Sequence, residues 1–155
     1  GITCMSALDK IDMTLLRLLS ENAELSAGAL ARRLDMSQPA IWRRVHRLEE
    51  SGVIRGRRIV LDREKLGFGV TVFLGIKLAG KKGVQLEDFE RAVSAIPEVQ
   101  TVEHVLGMYD YRLRVVARDI ADFERVLRRR IMRLPGAGDV EANVLLSEEQ
   151  RLGPL

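Results

Sequence analysis

Apolar residues recur with two different periods along this chain, and the change of period divides it. Between Ser6 and Ser20 (SALDKIDMTLLRLLS), Ile11, Leu15, Leu18 and Leu19 return every three or four positions. That is the spacing of one buried helix face. Asp9 or Ser6 is placed to cap it, and Asn22-Ala23-Glu24 breaks the pattern. A second short helix follows Ser26, with Ala29, Leu30 and Leu34 as its stripe, and stops at Asp35-Met36-Ser37. A third begins after Ser37, with Pro39 in its first turn, where a missing N–H costs nothing. Its stripe is Ile41, Val45 and Leu48, and Gly52 is placed to end it in a left-handed conformation. Val53-Ile54 then opens an extended piece through Ile59-Val60-Leu61 that reads as a β-wing.

Beyond the polar, glycine-bearing stretch Asp62–Gly69, the period falls to two in strand-like runs: Val70–Leu78, Val99–Leu106, Tyr111–Ala117 and Val140–Leu146. Two helical stripes lie between them, Leu86/Phe89/Val93/Ile96 and Ile120/Phe123/Leu127/Ile131/Leu134. Asp88-Phe89-Glu90-Arg91 recurs 34 positions later as Asp122-Phe123-Glu124-Arg125, so strand-helix-strand occurs twice. That order is the split β-α-β layout of ferredoxin-like folds. Alternation puts Val70, Val72, Leu74, Ile76 and Leu78 under the helices, with Tyr111, Leu113, Val115 and Ala117, and with Val140, Ala142, Val144 and Leu146. The opposite face mixes charge with Phe73, Val116 and Leu145, which suits a second sheet better than bare water and predicts a homodimer surface.

Charge sharpens this division. The net charge is +3 over residues 1–67 and zero over 68–155, and residues 37–58 alone carry six arginines against Glu49 and Glu50. The positive field therefore belongs to the third helix and its exit. Two short helices around a tight turn, the second one basic, form the helix-turn-helix layout. Arg43, Arg44 and Arg47 on that helix, and Arg57 and Arg58 after it, suit phosphates and guanine edges. Trp42 beside them suits either a sugar or a covering role over the first helix or the domain junction.

Composition excludes several classes. No apolar run approaches the ~20 residues of a membrane span, and no signal-peptide pattern is present. Cys4 is the only cysteine, so no intrachain disulfide forms, and the chain suits a reducing cytosol. Two histidines, His46 and His104, offer no zinc site, and no nucleophile–base pair or phosphate-cradling glycine loop is evident. No cofactor, metal or catalytic residue is expected. Gly1-Ile2-Thr3-Cys4 precede Met5 and read as a non-native leader.

Ser37-Gln38-Pro39-Ala40-Ile41-Trp42-Arg43-Arg44-Val45 with Arg47-Leu48-Glu49-Glu50-Ser51-Gly52-Val53-Ile54 resembles the recognition helix and exit of the leucine-responsive regulatory protein/AsnC family. Gly107-Met108-Tyr109-Asp110-Tyr111 with Leu113-Arg114-Val115 resembles that family's effector loop and third strand, and Leu134-Pro135-Gly136 with Val144-Leu145-Leu146 its closing segment. The resemblance spans Ser6 to Gln150. It implies an α+β chain: a (winged) helix-turn-helix DNA-binding domain over residues 5–61, a linker over 62–69, and a ferredoxin-like effector and oligomerisation domain over 70–150. It also implies a cytoplasmic, nucleoid-associated transcriptional regulator that binds double-stranded DNA and a small amino acid. The assembly expected is at least a homodimer, with closure into tetramers or octamers left open by the sequence.

On that basis Ser37, Gln38, Arg43, Arg44, Arg47, Arg57 and Arg58 are the expected DNA contacts. Gly107, Met108, Tyr109 and Asp110 are the expected effector residues, with Glu141 and Asn143 beside them. In this scheme Gly107 exposes backbone N–H donors for a carboxylate, and Asp110 takes an ammonium group. The plain alternative makes Gly107–Asp110 a hairpin turn, with Asp110 as a turn residue. Two other functions share the scaffold. One is an effector-independent architectural DNA-binding protein. The other is a tetrapyrrole decarboxylase, which would need more than the single His104.

Overall fold

The computed structural model describes residues 8–80, 84–151 and 153–155. Ser6 and residues Gly1–Cys4 therefore lie outside the described residues. The chain divides into two compact units, one ending at Val60 and including the tail from Glu149, the other running from Leu61 to Glu148.

In the first unit, α1 spans Lys10–Glu21, α2 Ala27–Leu34 and α3 Gln38–Glu50. Each start is set by a side chain three residues upstream of the N–H it satisfies. Asp9 accepts from Asp12 N, Ser26 from Ala29 N and Ser37 from Ala40 N. Asp9 and Asp12 bond reciprocally, so α1 opens on a capping box. The turn between α2 and α3 is made by Asp35 at φ 52, and α3 ends at Gly52 with φ +81. Leu15, Leu18, Leu30, Ala31 and Ile41 form the core of this unit. Each fully buried aliphatic side chain there contributes about 1.5–3 kcal/mol.

The wing segment pairs with no strand. Ile54 N–H closes back onto Leu48 O at 3.0 Å, and residues Arg55 to Leu61 form no strand. Ile59 and Val60 are exposed. Apolar alternation alone cannot form a strand where no second strand lies alongside to accept its hydrogen bonds.

The second unit opens on a hydrogen-bonded turn, Phe68 N–H to Arg63 O and Gly67 N–H to Glu64 O. Then follow β1 (Val70–Leu78), α4 (Val84–Ser94), β2 (Val99–His104), β3 (Tyr111–Ala117), α5 (Ile120–Arg129), a 3₁₀ turn (Ile131–Arg133) and β4 (Ala137–Val144). The sheet is antiparallel with order β2-β3-β1-β4. The inward faces of β1 and β3 match the alternation: Val72, Leu74 and Ile76 meet Tyr111, Leu113, Val115 and Ala117 under Phe89, Val93, Phe123 and Val126. The duplicated Asp-Phe-Glu-Arg tetrapeptides thus supply one core phenylalanine to each helix. Outside α5, Arg125 pairs with Asp122 at 2.9 Å and Arg128 with Glu124.

Three expectations change. β4 begins at Ala137 and ends at Val144, and along it Ala137 and Val140 pack against the core, while Ala142, Val144 and Leu146 are exposed. As the edge strand next to β1, β4 lies beyond the reach of both helices over its second half. On α5, Ile120 sits at the first position and is exposed, while Val126 is buried in its place. The open sheet face is also less bare than its sequence implies. Val116 is buried, and the Arg114 guanidinium lies 5.3 Å from the Phe73 ring centroid while bonding Gln100 and Glu148.

Candidate nucleic-acid interface and effector cleft

Ser37 uses its hydroxyl oxygen to cap α3, accepting from Ala40 N at 3.3 Å. Gln38 follows, exposed, with its amide against Gly28 of α2, where a Cβ would come within 3.2 Å of Nε2. At 3.6 residues per turn, Arg43 falls roughly 160° around α3 from buried Ile41, and Arg47 roughly 120°. Both are exposed, and Arg43 makes no ion pair among the described residues. The expected cluster of free arginines does not include Arg44. That residue lies only roughly 60° from Ile41, on the flank facing α1.

Arg44 is 22% exposed, and its Nη1 lies 2.7 Å from Asp9 and 3.0 Å from Asp12. Asp12 is fully buried. It also receives Arg47 Nη2 at 3.3 Å. A buried carboxylate without such partners would cost several kcal/mol. The Asp12 backbone N–H, and then the Arg44 guanidinium, hold the Asp9 carboxyl below the usual range, and Asp9 in turn raises Arg44. This four-residue cluster was not expected. Its only sequence signal is the Asp9-x-x-Asp12 spacing of a capping box.

After α3, Arg57 Nη1 bonds Glu49 Oε1 at 3.0 Å, which ties the exit segment to the helix, and Arg58 is exposed. Trp42 is not buried over α1. It is 59% exposed and stacks on His46 with centroids 4.8 Å apart and planes 9° apart. His46 Nε2 bonds Glu50 at 3.0 Å. Trp42 also forms one wall of a groove of about 220 Å³ with Leu19, Leu25, Val45, Glu49 and Arg57.

In the second unit, the loop between β2 and β3 folds over the open sheet face. Gly107, Met108, Tyr109, Glu141 and Asn143 line one cleft of about 240 Å³, with Phe73, Gly75 and Arg112. Gly75 was missed from sequence, although a glycine inside a strand run is itself a sign of close approach. The neighbouring Glu141 carboxylate raises the pKa of the Tyr109 phenol. Arg112 pairs with Glu103 at 3.2 Å.

Asp110 stands apart from this group. Its Oδ2 accepts from Leu78 N at 2.8 Å, its N–H donates to Ile76 O at 3.0 Å, and its C=O accepts from Val105 N at 3.0 Å. It staples the loop to β1, and its carboxylate has one oxygen already committed. His104 stacks on Tyr111 at 4.8 Å, and the Tyr111 hydroxyl donates to Glu90.

Residues 71–154 match the family described as the Lrp/AsnC ligand binding domain, and residues 8–55 match a winged helix-turn-helix DNA-binding family. The DNA-binding transcriptional activator DecR of Escherichia coli K12 is 34% identical over 141 residues, covering 91% of this chain and 93% of that protein. The crystal structure of an AsnC family transcriptional regulator from Agrobacterium tumefaciens aligns with a TM-score of 0.86 at 34% identity, over 96% of each chain. A transcriptional regulator from Neisseria meningitidis, solved as a complex with L-methionine, aligns with a TM-score of 0.89 at 28% identity, again over 96% of each chain. A basic helix-turn-helix unit and a βαββαβ unit, each matched over nearly its full length, identify this chain as a member of the Lrp/AsnC family of DNA-binding transcriptional regulators.

Proposed function

We propose that this regulator reads a specific DNA sequence through Ser37, Gln38, Arg43 and Arg47 of α3, with Arg57 and Arg58 on the flanking backbone. The observation that carries this reading is the exposure of Arg43 and Arg47 on the side of α3 away from Ile41. Arg44 acts from beneath as a brace. Guanidinium forks on an exposed helix fit the major groove, where they pair with guanine O6/N7 or with phosphate. Its place is the cytoplasm, on the nucleoid, and its role is regulatory without catalysis. His104 has no second histidine in its unit to act with.

The second unit is proposed to form the homodimer through its open sheet face and to take a small amino acid in the cleft under Tyr109. Glu141 there offers a carboxylate to an ammonium group, and Phe73 and Met108 offer apolar surface. The L-methionine complex of the Neisseria relative supports an amino-acid effector. A loop of six residues encloses little on its own, so a neighbouring chain supplies the remaining wall and the ligand favours the assembled form. Dimers then place two α3 helices for half-sites ~34 Å apart or a multiple of it.

Duplex binding at two salt concentrations, with and without each of the twenty amino acids, tests this reading. Salt-dependent, sequence-selective binding altered by one amino acid is expected. Sequence-selective binding that no amino acid alters favours an effector-independent regulator. The Asp110 carboxylate, already engaged by Leu78 N–H, is the observation on that side.

A further inference from the structure

We propose that Asp12, a residue of α1 with no surface of its own, is a positioning residue for DNA recognition that acts through Arg47. The inference rests on the reading of Arg47 as a DNA contact. Asp12 needs a counter-charge because it is fully buried, and Arg44 Nη1 at 3.0 Å already provides one. Asp9 N–H supplies a further donor at 3.2 Å. The Arg47 contact is therefore surplus to neutralising the carboxylate. It is also long, 3.3 and 3.4 Å to the two oxygens, and made by Nη2 alone.

The Arg47 side chain remains 61% exposed. Its Nε and Nη1 donors point to no partner among the described residues. One corner of the guanidinium is thus tethered to the protein while the rest of the fork faces outward. An unrestrained arginine loses much rotamer freedom on making a bidentate contact, and a tether removes part of that loss before DNA arrives. Arg43, lacking any such tether, is the flexible counterpart on the same helix.

The sign of the effect separates this role from plain electrostatics. Asp12 is a negative charge beneath a surface meant for phosphates. Removing it should strengthen binding to any duplex if charge is all that matters. A positioning role instead predicts weaker binding to the selected sequence, with no loss on others.

The test uses the full chain and a duplex selected from a random-sequence pool by the unaltered protein, against a scrambled duplex of the same composition. Asp12→Asn should bind the selected duplex about tenfold more weakly, the scale of coupling between contacting residues. Its affinity for the scrambled duplex should be equal or higher. Arg47→Ala should lose a comparable factor, and the double variant should lose no more than Arg47→Ala alone. Full-strength binding by Asp12→Asn overturns the proposal, as does the same loss when Arg47 is already alanine. Unaltered binding by Arg47→Ala would instead sink the reading of Arg47 as a contact. Because Asp12→Asn alters a buried site, a second measurement needs no variant. Nitrogen-15 NMR of the free protein should resolve slowly rotating Arg47 Nη groups, as for Arg44. Averaged signals like those of Arg43 would overturn the tether whatever the variants do.

Discussion

The ring of Tyr109 rests on Gly75, so close that a Cβ at position 75 would lie 2.8 Å from Cδ2 and 2.9 Å from Cγ. The glycine makes room for the loop that roofs the cleft. Gly75→Ala must move that ring away from Glu141, at a cost of ~1–3 kcal/mol by the measure of overpacked sites. Urea denaturation should show the loss. Tyrosinate absorbance should show the Tyr109 hydroxyl titrating lower, since the Glu141 carboxylate that raises it is farther away. Amino-acid binding at the cleft should weaken in parallel.

Arg43→Ala and Arg44→Ala should fail in opposite ways. Arg44→Ala leaves the buried Asp12 carboxylate with the long Arg47 contact as its only cation and the Asp9 N–H beside it, so stability should fall by roughly 2–4 kcal/mol. Arg43 is exposed and unpaired, so its loss should change stability by less than about 0.5 kcal/mol. It should still cost ~1–3 kcal/mol in affinity for the selected duplex where the contact is to a base. Paired denaturation and duplex-binding measurements check both. Equal stability of the two variants would contradict the bracing role of Arg44.

Trp42 is the only tryptophan in the chain, so its emission reports on α3 alone. With 59% exposure it should be quenched readily by acrylamide in the free protein. Bound duplex should protect it, because it stands on the flank of the helix proposed to enter the groove. Trp42→Ala should shift stability by no more than about 0.5 kcal/mol. Quenching that is identical with and without duplex would place Trp42 off the interface.

Asp122 lies in the first turn of α5, where Asp119 is the cap, and its carboxylate accepts from the Arg118 N–H. Its pKa is lowered to about 2, first by the Arg118 backbone N–H and then by the Arg125 and Arg118 guanidinium groups. A carboxylate depressed in the folded state adds stability above its unfolded pKa of 3.8 and loses it as pH falls towards about 2. Asp122→Asn should therefore be less stable than the unaltered chain at neutral pH. The gap should narrow as pH falls below 3.8 and nearly close near pH 2. Denaturation curves across that range would show it. A gap that stays constant would mean that the carboxylate charge plays no part.

What the sequence determined by itself is whatever depends on neighbours within a few positions. Caps at Asp9, Ser26 and Ser37 bond N–H groups three residues on, so their spacing announces them. The alternation in β1 and β3 is equally plain, because both are interior strands and every second side chain must enter the core. The duplicated Asp-Phe-Glu-Arg tetrapeptides disclosed the repeated layout. Tertiary structure decided the rest, wherever the outcome depends on what lies across from a residue. The same apolar alternation buries nothing at Ala142 and Val144, because β4 ended at the sheet edge. Arg43 and Arg44 are chemically identical neighbours, yet one is free and the other is braced, because α1 brings Asp9 and Asp12 against only one flank of α3. Asp110 looked like a ligand group in a turn until β1 was found to present Leu78 N–H to it across 32 residues. Periodicity marks which face of a segment is apolar, but only the packed chain decides which partners that face and its charged flanks will meet.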